Sequence, residues 1–141
     1  MKKIVLLIGS TSKLASCFYK NYADKYHIVT SSRSPSSDLN IDLSNKIDLT
    51  HIPDRLDVAI FCAGMSNIKE LEQDVLLAAR VNCISTIDLC RALNARKIPI
   101  LFISTTAVFS QSSNINSEFD KVTPQCNYGL FKACVENELM L

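Results

Sequence analysis

Histidine, paired cysteines, excess charge and long apolar runs are all scarce in this sequence, and each shortage closes a class of function. Only two histidines occur, His27 and His51, and neither lies near a paired cysteine spacing, which disfavours a zinc site. Six cysteines are present (Cys17, Cys62, Cys83, Cys90, Cys126, Cys134), but none forms a C-x-x-C pair and nothing resembles a secretion signal. Free, mostly buried thiols are expected rather than a disulfide framework. Fifteen Lys and Arg face 14 Asp and Glu, a formal net charge of +1, so no global field recruits nucleic acid or an anionic membrane. Any anionic ligand must be met by a local site. The apolar run after Met1-Lys2-Lys3 stops at Gly9, too short for a membrane span or a signal-peptide core, and the chain reads as cytoplasmic. There are no internal repeats and no low-complexity tails. With 141 residues, 48% hydrophobic and 21% charged, the composition is that of one globular domain over residues 1–141.

What is present alternates between strand and helix signals. Lys3 to Ile8 is a continuous apolar, β-rich run ending at Gly9, as in a parallel strand covered on both faces. Ser12 can cap a helix to about Ala23 in which Leu14, Cys17, Phe18 and Tyr22 recur with helical spacing. Further strands are expected over His27–Ser31, Leu39–Ile41 (short), Asp57–Ala63 and Ile98–Ser104, with a polar loop over Ser32–Asp38. Residues Asn67 to Arg96 contain no Gly or Pro and read as one helix. Its apolar residues fall on two stripes, Leu71, Val75, Ala79, Thr86 and Leu93 on one and Leu76, Cys83, Ile84 and Ile87 on the other, so the helix needs two partners. Gln111–Thr123 reads as a polar loop and Cys126–Leu141 as a last helix. This order implies βαβ units in an open parallel sheet, Rossmann-like, with helices on both faces.

Two segments carry chemistry. The turn Gly9-Ser10-Thr11-Ser12-Lys13-Leu14-Ala15 follows a strand and opens a helix, the layout of a dinucleotide-binding turn. Gly9 supplies the tight turn, and the helix start offers N–H groups and a positive dipole end to a pyrophosphate. Only three glycines occur in the chain, and the later fingerprint positions hold Ser12 and Ala15. Alanine suits close helix packing, whereas Ser12 either bonds a phosphate or caps the helix. After the second strand, Arg33 stands where an acidic residue would bond the ribose of NAD. It either meets a 2'-phosphate, favouring NADP over NAD, or is a solvated loop residue. The second segment is Tyr128-Gly129-Leu130-Phe131-Lys132, whose Tyr and Lys share a helix face at i and i+4. A lysine ammonium beside a tyrosine lowers its pKa and makes it an acid/base.

These residues resemble the extended short-chain dehydrogenase/reductases, within them the dTDP-4-dehydrorhamnose reductase and nucleotide-sugar epimerase/dehydratase group. Gly9 to Ala15 is similar to a degenerate G-x-x-G-x-x-G/A; Asn40-Ile41-Asp42-Leu43 resembles the segment whose Asp approaches the adenine; Phe61-Cys62-Ala63-Gly64 resembles the strand end beside the cofactor. Val81-Asn82 with Ser85-Thr86 and Leu89 resembles a V-N-x-x-[GS]-T-x-x-L helix, and Leu101 to Phe109 the strand and turn bearing the catalytic Ser/Thr. Glu118-Phe119-Asp120 with Pro124, then Tyr128-Gly129-x-x-Lys132 and Glu136, is similar to E-x-D-x-x-x-P and Y-G-x-x-K-x-x-x-E. The resemblance implies an NAD(P)-dependent oxidoreductase, epimerase or dehydratase acting on a nucleotide-linked sugar. Tyr128 would be the acid or base, Lys132 would lower its pKa and hold the nicotinamide ribose, and Thr105 would hydrogen-bond the reacting oxygen. The implied cofactor residues are Gly9, Thr11, Ser12, Lys13, Leu14, Arg33, Asp42, Leu43, Cys62, Ala63, Gly64, Asn82, Tyr128 and Lys132. Glu118 and Asp120 would be loop or substrate-side residues. The resemblance also implies a homodimer through helices 67–96 and 125–141, and a chain that stops before the family's C-terminal substrate domain. A noncatalytic dinucleotide-binding or dimerisation module, or a truncated remnant of such an enzyme, is the alternative.

Overall fold

The computed structural model describes residues 1–110 and 115–140. Strand β1 (Ile4–Ile8) is the centre of a parallel sheet because both of its faces are apolar: Val5, Leu6, Leu7 and Ile8 are all buried. Fully burying side chains such as Leu6 and Leu7 contributes about 1.5–3 kcal/mol each. On one side of β1 lies β2 (His27–Ser32), followed by β3 (Leu39–Asn40); on the other lie β4 (Val58–Phe61) and β5 (Ile100–Phe102). The order is β3-β2-β1-β4-β5, every pairing parallel, with Leu6 opposite both Val29 and Ala59. The chain leaves β1 toward one edge and returns to build toward the other. This reversal opens a crevice at the carboxyl ends of β1 and β4, the place where open α/β sheets bind ligands.

Helices cover both faces, as the sequence implies. Helix α1 (Lys13–Tyr22) seats Ala15 and Phe18 on Val5, Leu7 and Ile60. The other face carries α4 (Ser85–Ala95), α5 (Asn127–Leu139) and the segment 41–56, whose Leu89, Leu93, Val135, Ile41, Leu43, Ile52 and Leu56 pack on Leu6, Ile8, Ala59 and Phe61.

Three expectations are corrected. The single helix over 67–96 is four pieces: α2 (Ile68–Gln73), α3 (Val75–Ala79), a π-helical turn (Arg80–Ile84) and α4. Asp74 breaks it, with φ −139° and ψ 79°, because its carboxylate caps the new helix by accepting from Leu77 N at 2.9 Å. In the π-turn Ser85 N donates to Arg80 O, and Thr86 Oγ1 donates to Val81 O at 2.9 Å. Of the two stripes, Leu71, Thr86 and Leu93 are buried, but Val75, Leu76 and Ile84 are exposed. The apolar face of α1 is narrower than its spacing implies: Leu14, Cys17 and Tyr22 stay exposed beside Phe18, because the small Ala15 brings the helix down on a seat it shares with Phe18 alone. The thiols are free, yet Cys17, Cys126 and Cys134 are exposed and only Cys90 is fully buried. Within the expected polar loop, residues 111–114 lie outside the described residues, as does Leu141.

Candidate active site

Gly9 and Ala63 bring the carboxyl ends of β1 and β4 together. Gly9 has φ +79°, and a Cβ there would stand 2.5 Å from the Ala63 backbone. Both its conformation and its clearance exclude a side chain. The turn is tied to the neighbouring strand, since Gly9 N and Ser10 N donate to Ser31 O at 2.8 and 3.0 Å. Of the two readings of Ser12, the structure contains the cap: its hydroxyl accepts from Ala15 N at 3.2 Å. Thr11, Lys13 and Leu14 are exposed along the turn and first helical positions. Ala15 is fully buried on the sheet, the packing role expected of the last fingerprint position.

Beyond β2, the chain folds back onto this turn through hydroxyls. Ser37 Oγ lies 2.6 Å from Ser32 Oγ and 3.2 Å from Ser10 Oγ, while Asp38 accepts from Thr30 N at 2.8 Å and Thr30 Oγ1 at 2.7 Å. Arg33 is exposed on that loop. Asp42 accepts from Ser44 Oγ and N and from Asn45 Nδ2. The Ser44 hydrogen bonds hold its carboxyl below the usual range, with the Arg33 charge adding a smaller pull. Leu43 is buried in the apolar core with Ile8 and Phe61.

The second half of the site forms around Gly64. A Cβ at Gly64 would lie 2.9 Å from Asn82 Oδ1 and 3.8 Å from Lys132 Nζ, so three distant segments meet at one point. Asn82 is buried and satisfied on both sides of its amide, accepting from Met65 N at 2.7 Å and donating to Met65 O at 2.9 Å. It braces the end of β4 from within the π-turn. Lys132 is 5% exposed. Its ammonium donates to Ile103 O at 3.0 Å and stands 4.4 Å from the Phe102 ring centroid and 5.9 Å from that of Tyr128. Burial pushes the Lys132 pKa down, with Cys62 and Glu136 pulling it back. Cys62, beside it, is pushed up by burial against the opposing effects of Lys132 and the Ser12 hydroxyl.

Tyr128 and Lys132 share one face of α5, as their spacing requires, but the expected lowering of the tyrosine pKa is corrected. Burial pushes the half-buried phenol up, Cys126 adds to the rise, and Lys132 is directed at the carbonyl just past β5. Thr105 follows β5, where its Oγ1 accepts from Ala107 N at 3.2 Å and opens a short 3₁₀ turn (Thr106–Val108). That turn rests on the start of α5: a Cβ at Gly129 would lie 2.1 Å from Ala107 O. The glycine after Tyr128 therefore lets the helix bearing Tyr128 and the turn following Thr105 touch backbone to backbone. Glu118 and Asp120 lie on the exposed loop, where Asp120 accepts from Ser117 N at 2.9 Å. Sequence reasoning missed the Ile103 carbonyl and the Phe102 ring as partners of Lys132, since neither belongs to a polar motif.

Residues 1–140 match the model of the RmlD substrate binding domain family. The chain belongs to that family. No curated protein matches it in sequence. Among solved structures, this RmlD-family chain is similar to a hypothetical dTDP-4-dehydrorhamnose reductase from Sulfolobus tokodaii, at 23% identity and TM-score 0.82 over 98% of this chain and 51% of that one. It is similar to a dTDP-4-dehydrorhamnose reductase from Bacillus anthracis in complex with NADP, at 21% and TM-score 0.83 over 99% of this chain and 50% of that one. A UDP-N-acetylglucosamine 4-epimerase from Methanobrevibacter ruminantium, in complex with UDP-N-acetylmuramic acid, matches at 21% and TM-score 0.86 over 99% and 50%. These likenesses show a shared fold, and the RmlD-family chain spans about half the length of each structure it matches.

Proposed function

We propose that residues 1–141 form one dinucleotide-binding domain of a cytoplasmic, NAD(P)-dependent reductase or epimerase/dehydratase acting on a nucleotide-linked sugar. The observation that carries this reading is the convergence of Gly64, Asn82 and Lys132 at the carboxyl end of β4, with Tyr128 and the Thr105 turn alongside. The residues fit a dinucleotide: the Gly9 turn and the start of α1 would take the pyrophosphate, Arg33 a 2'-phosphate, and Lys132 the nicotinamide ribose. When bound, the nicotinamide supplies or accepts hydride. Tyr128 then gives a proton to, or takes one from, the oxygen on the reacting carbon, and Thr105 holds that oxygen through its hydroxyl proton. The Arg33 charge and forked geometry favour NADP, and the same reading includes a homodimer through the α2 to α4 segment and α5.

Calorimetric titration with NADPH and NADH tests the binding half: tighter NADPH is expected, and heat from neither nucleotide overturns the proposal. Arg33→Ala is expected to weaken NADPH by about tenfold or more, the value of a lost charge-assisted contact, with NADH little changed. A second reading is a binding module without turnover. It is favoured by the Thr105 and Ser12 hydroxyls serving as caps and by the raised Tyr128 pKa. NADPH binding with no carbonyl reduction would select it. Reduction that disappears in Tyr128→Phe would select the enzyme.

A further inference from the structure

Among the described residues, Lys132 is the only charged side chain that is buried. An ammonium carries three donors, and burial without partners drives it to shed its proton. One donor goes to Ile103 O at 3.0 Å, a neutral acceptor, and no carboxylate pairs with the ammonium among the described residues. The remaining compensation is a ring, since Nζ stands over Phe102, 4.4 Å from its centroid. A ring face is electron-rich and attracts a cation within about 6 Å, most strongly where both are desolvated. That ring is itself braced. Phe102 pairs in register with the fully buried Phe61 of β4, and the two centroids lie 6.4 Å apart with their planes tilted by 57°. We propose that Phe102 is a positioning residue, its ring face holding the Lys132 ammonium charged and in place at the crevice. Its service in placing that charge for a nicotinamide ribose rests on the reading given above.

The other groups around the ammonium do less. The Tyr128 ring on α5 is farther, at 5.9 Å, near the limit of useful attraction. Cys62 on β4 and Glu136 on α5 are the titratable groups that act on Lys132 from a distance, and the π-turn brings the uncharged Asn82 to the same point. An aliphatic side chain at 102 would fill similar space in the core but leave the ammonium with one carbonyl. The sign follows from the ring's charge distribution: its face favours the charged lysine and opposes the downward push of burial. Weakening that face therefore lowers the Lys132 pKa further.

The test replaces Phe102 by mono-, di- and trifluorophenylalanine in the otherwise unchanged chain, because fluorine draws charge from the ring face while nearly keeping its shape. The Lys132 pKa is read from the NMR signal of the side-chain carbon next to the ammonium, identified by its loss in Lys132→Met. It is expected to fall stepwise with each fluorine, and by about one pH unit in Phe102→Leu, the strength of a desolvated cation–π contact. Affinity for NADPH and NADH, which share the nicotinamide ribose, is then expected to be lost at correspondingly lower pH, because the ammonium that takes the ribose is lost sooner. A Lys132 pKa indifferent to fluorination overturns the proposal, whether or not Phe102→Leu folds, since packing alone would then account for the ring. A pKa that falls while the pH dependence of binding stays in place overturns the positioning role. The NMR titration needs no nucleotide, so a chain that binds neither NADPH nor NADH removes the dinucleotide reading and still reports whether Phe102 holds the charge.

Discussion

Gly129 lies inside α5, where alanine is favoured over glycine by about 1 kcal/mol. Its Cβ would lie 2.1 Å from Ala107 O, and pushing a helix off a neighbouring backbone costs about 1–3 kcal/mol. The contact is with backbone, which cannot give way as a side chain can, so Gly129→Ala is expected to lower stability by up to about 2 kcal/mol net, read as a lower urea midpoint with unchanged slope. A midpoint that rises would show that α5 and the Thr105 turn are not in contact. Lys132 gives a pH signature. Its folded pKa lies below the ordinary lysine value of 10.5, so between those two values the unfolded chain binds more protons and stability rises with pH. The stability of the wild type relative to Lys132→Met is therefore expected to climb as pH is raised from the lowered pKa toward 10.5. A flat or falling difference in paired urea titrations would mean that the ammonium is solvated. Tyr128 is common to both proteins, so its raised pKa cancels in the comparison. That Tyr128 and Lys132 share a face was legible in the sequence, because spacing fixes it. Where the ammonium points was not, because Ile103 is 29 residues away and contributes a backbone oxygen.

At the scale of elements, strands and helix starts were legible because they rest on local chemistry: an apolar run closed by Gly9, a capping Ser12, a proline before β5. The interruptions in residues 67–96 were not, because one capping carboxylate and one extra residue in a turn leave a sequence free of Gly and Pro. The π-turn nevertheless has a readable purpose, since Asn82 lies within it and bonds both Met65 N and O. Replacing Asn82 with Ala leaves the part-buried Met65 N and O without their side-chain partner and is expected to cost about 2 kcal/mol, two groups at the lower end of about 1–3 kcal/mol each because both are only part-buried. Asn82→Asp still accepts from Met65 N but cannot donate to Met65 O while ionised, so an intermediate loss is expected. Equal losses in the two variants, by urea unfolding, would show that packing volume rather than hydrogen bonding holds Met65.

For the whole molecule, alternation of strand and helix signals implied the parallel sheet, and the reversal between β1 and β4 explains why fragments as distant as Gly9, Gly64 and Lys132 meet. Which apolar residues would remain uncovered was less legible, because both stripes of the 67–96 segment read alike until the break at Asp74 and the π-turn rotated their faces. Leu76 is 84% exposed and Ile84 55%. An apolar side chain of that size forgoes about 1.5–3 kcal/mol while it faces water, a cost that a second copy of the chain can remove. If the proposed homodimer uses this stripe, Leu76→Asp and Ile84→Asp should each weaken association by tenfold or more, about 1.4 kcal/mol or above, because an ionised carboxylate would be buried without a partner. Sedimentation equilibrium across micromolar concentrations reads this directly. A wild-type chain that stays monomeric removes the dimer, and a dimer indifferent to both substitutions moves the interface off the Leu76 and Ile84 stripe.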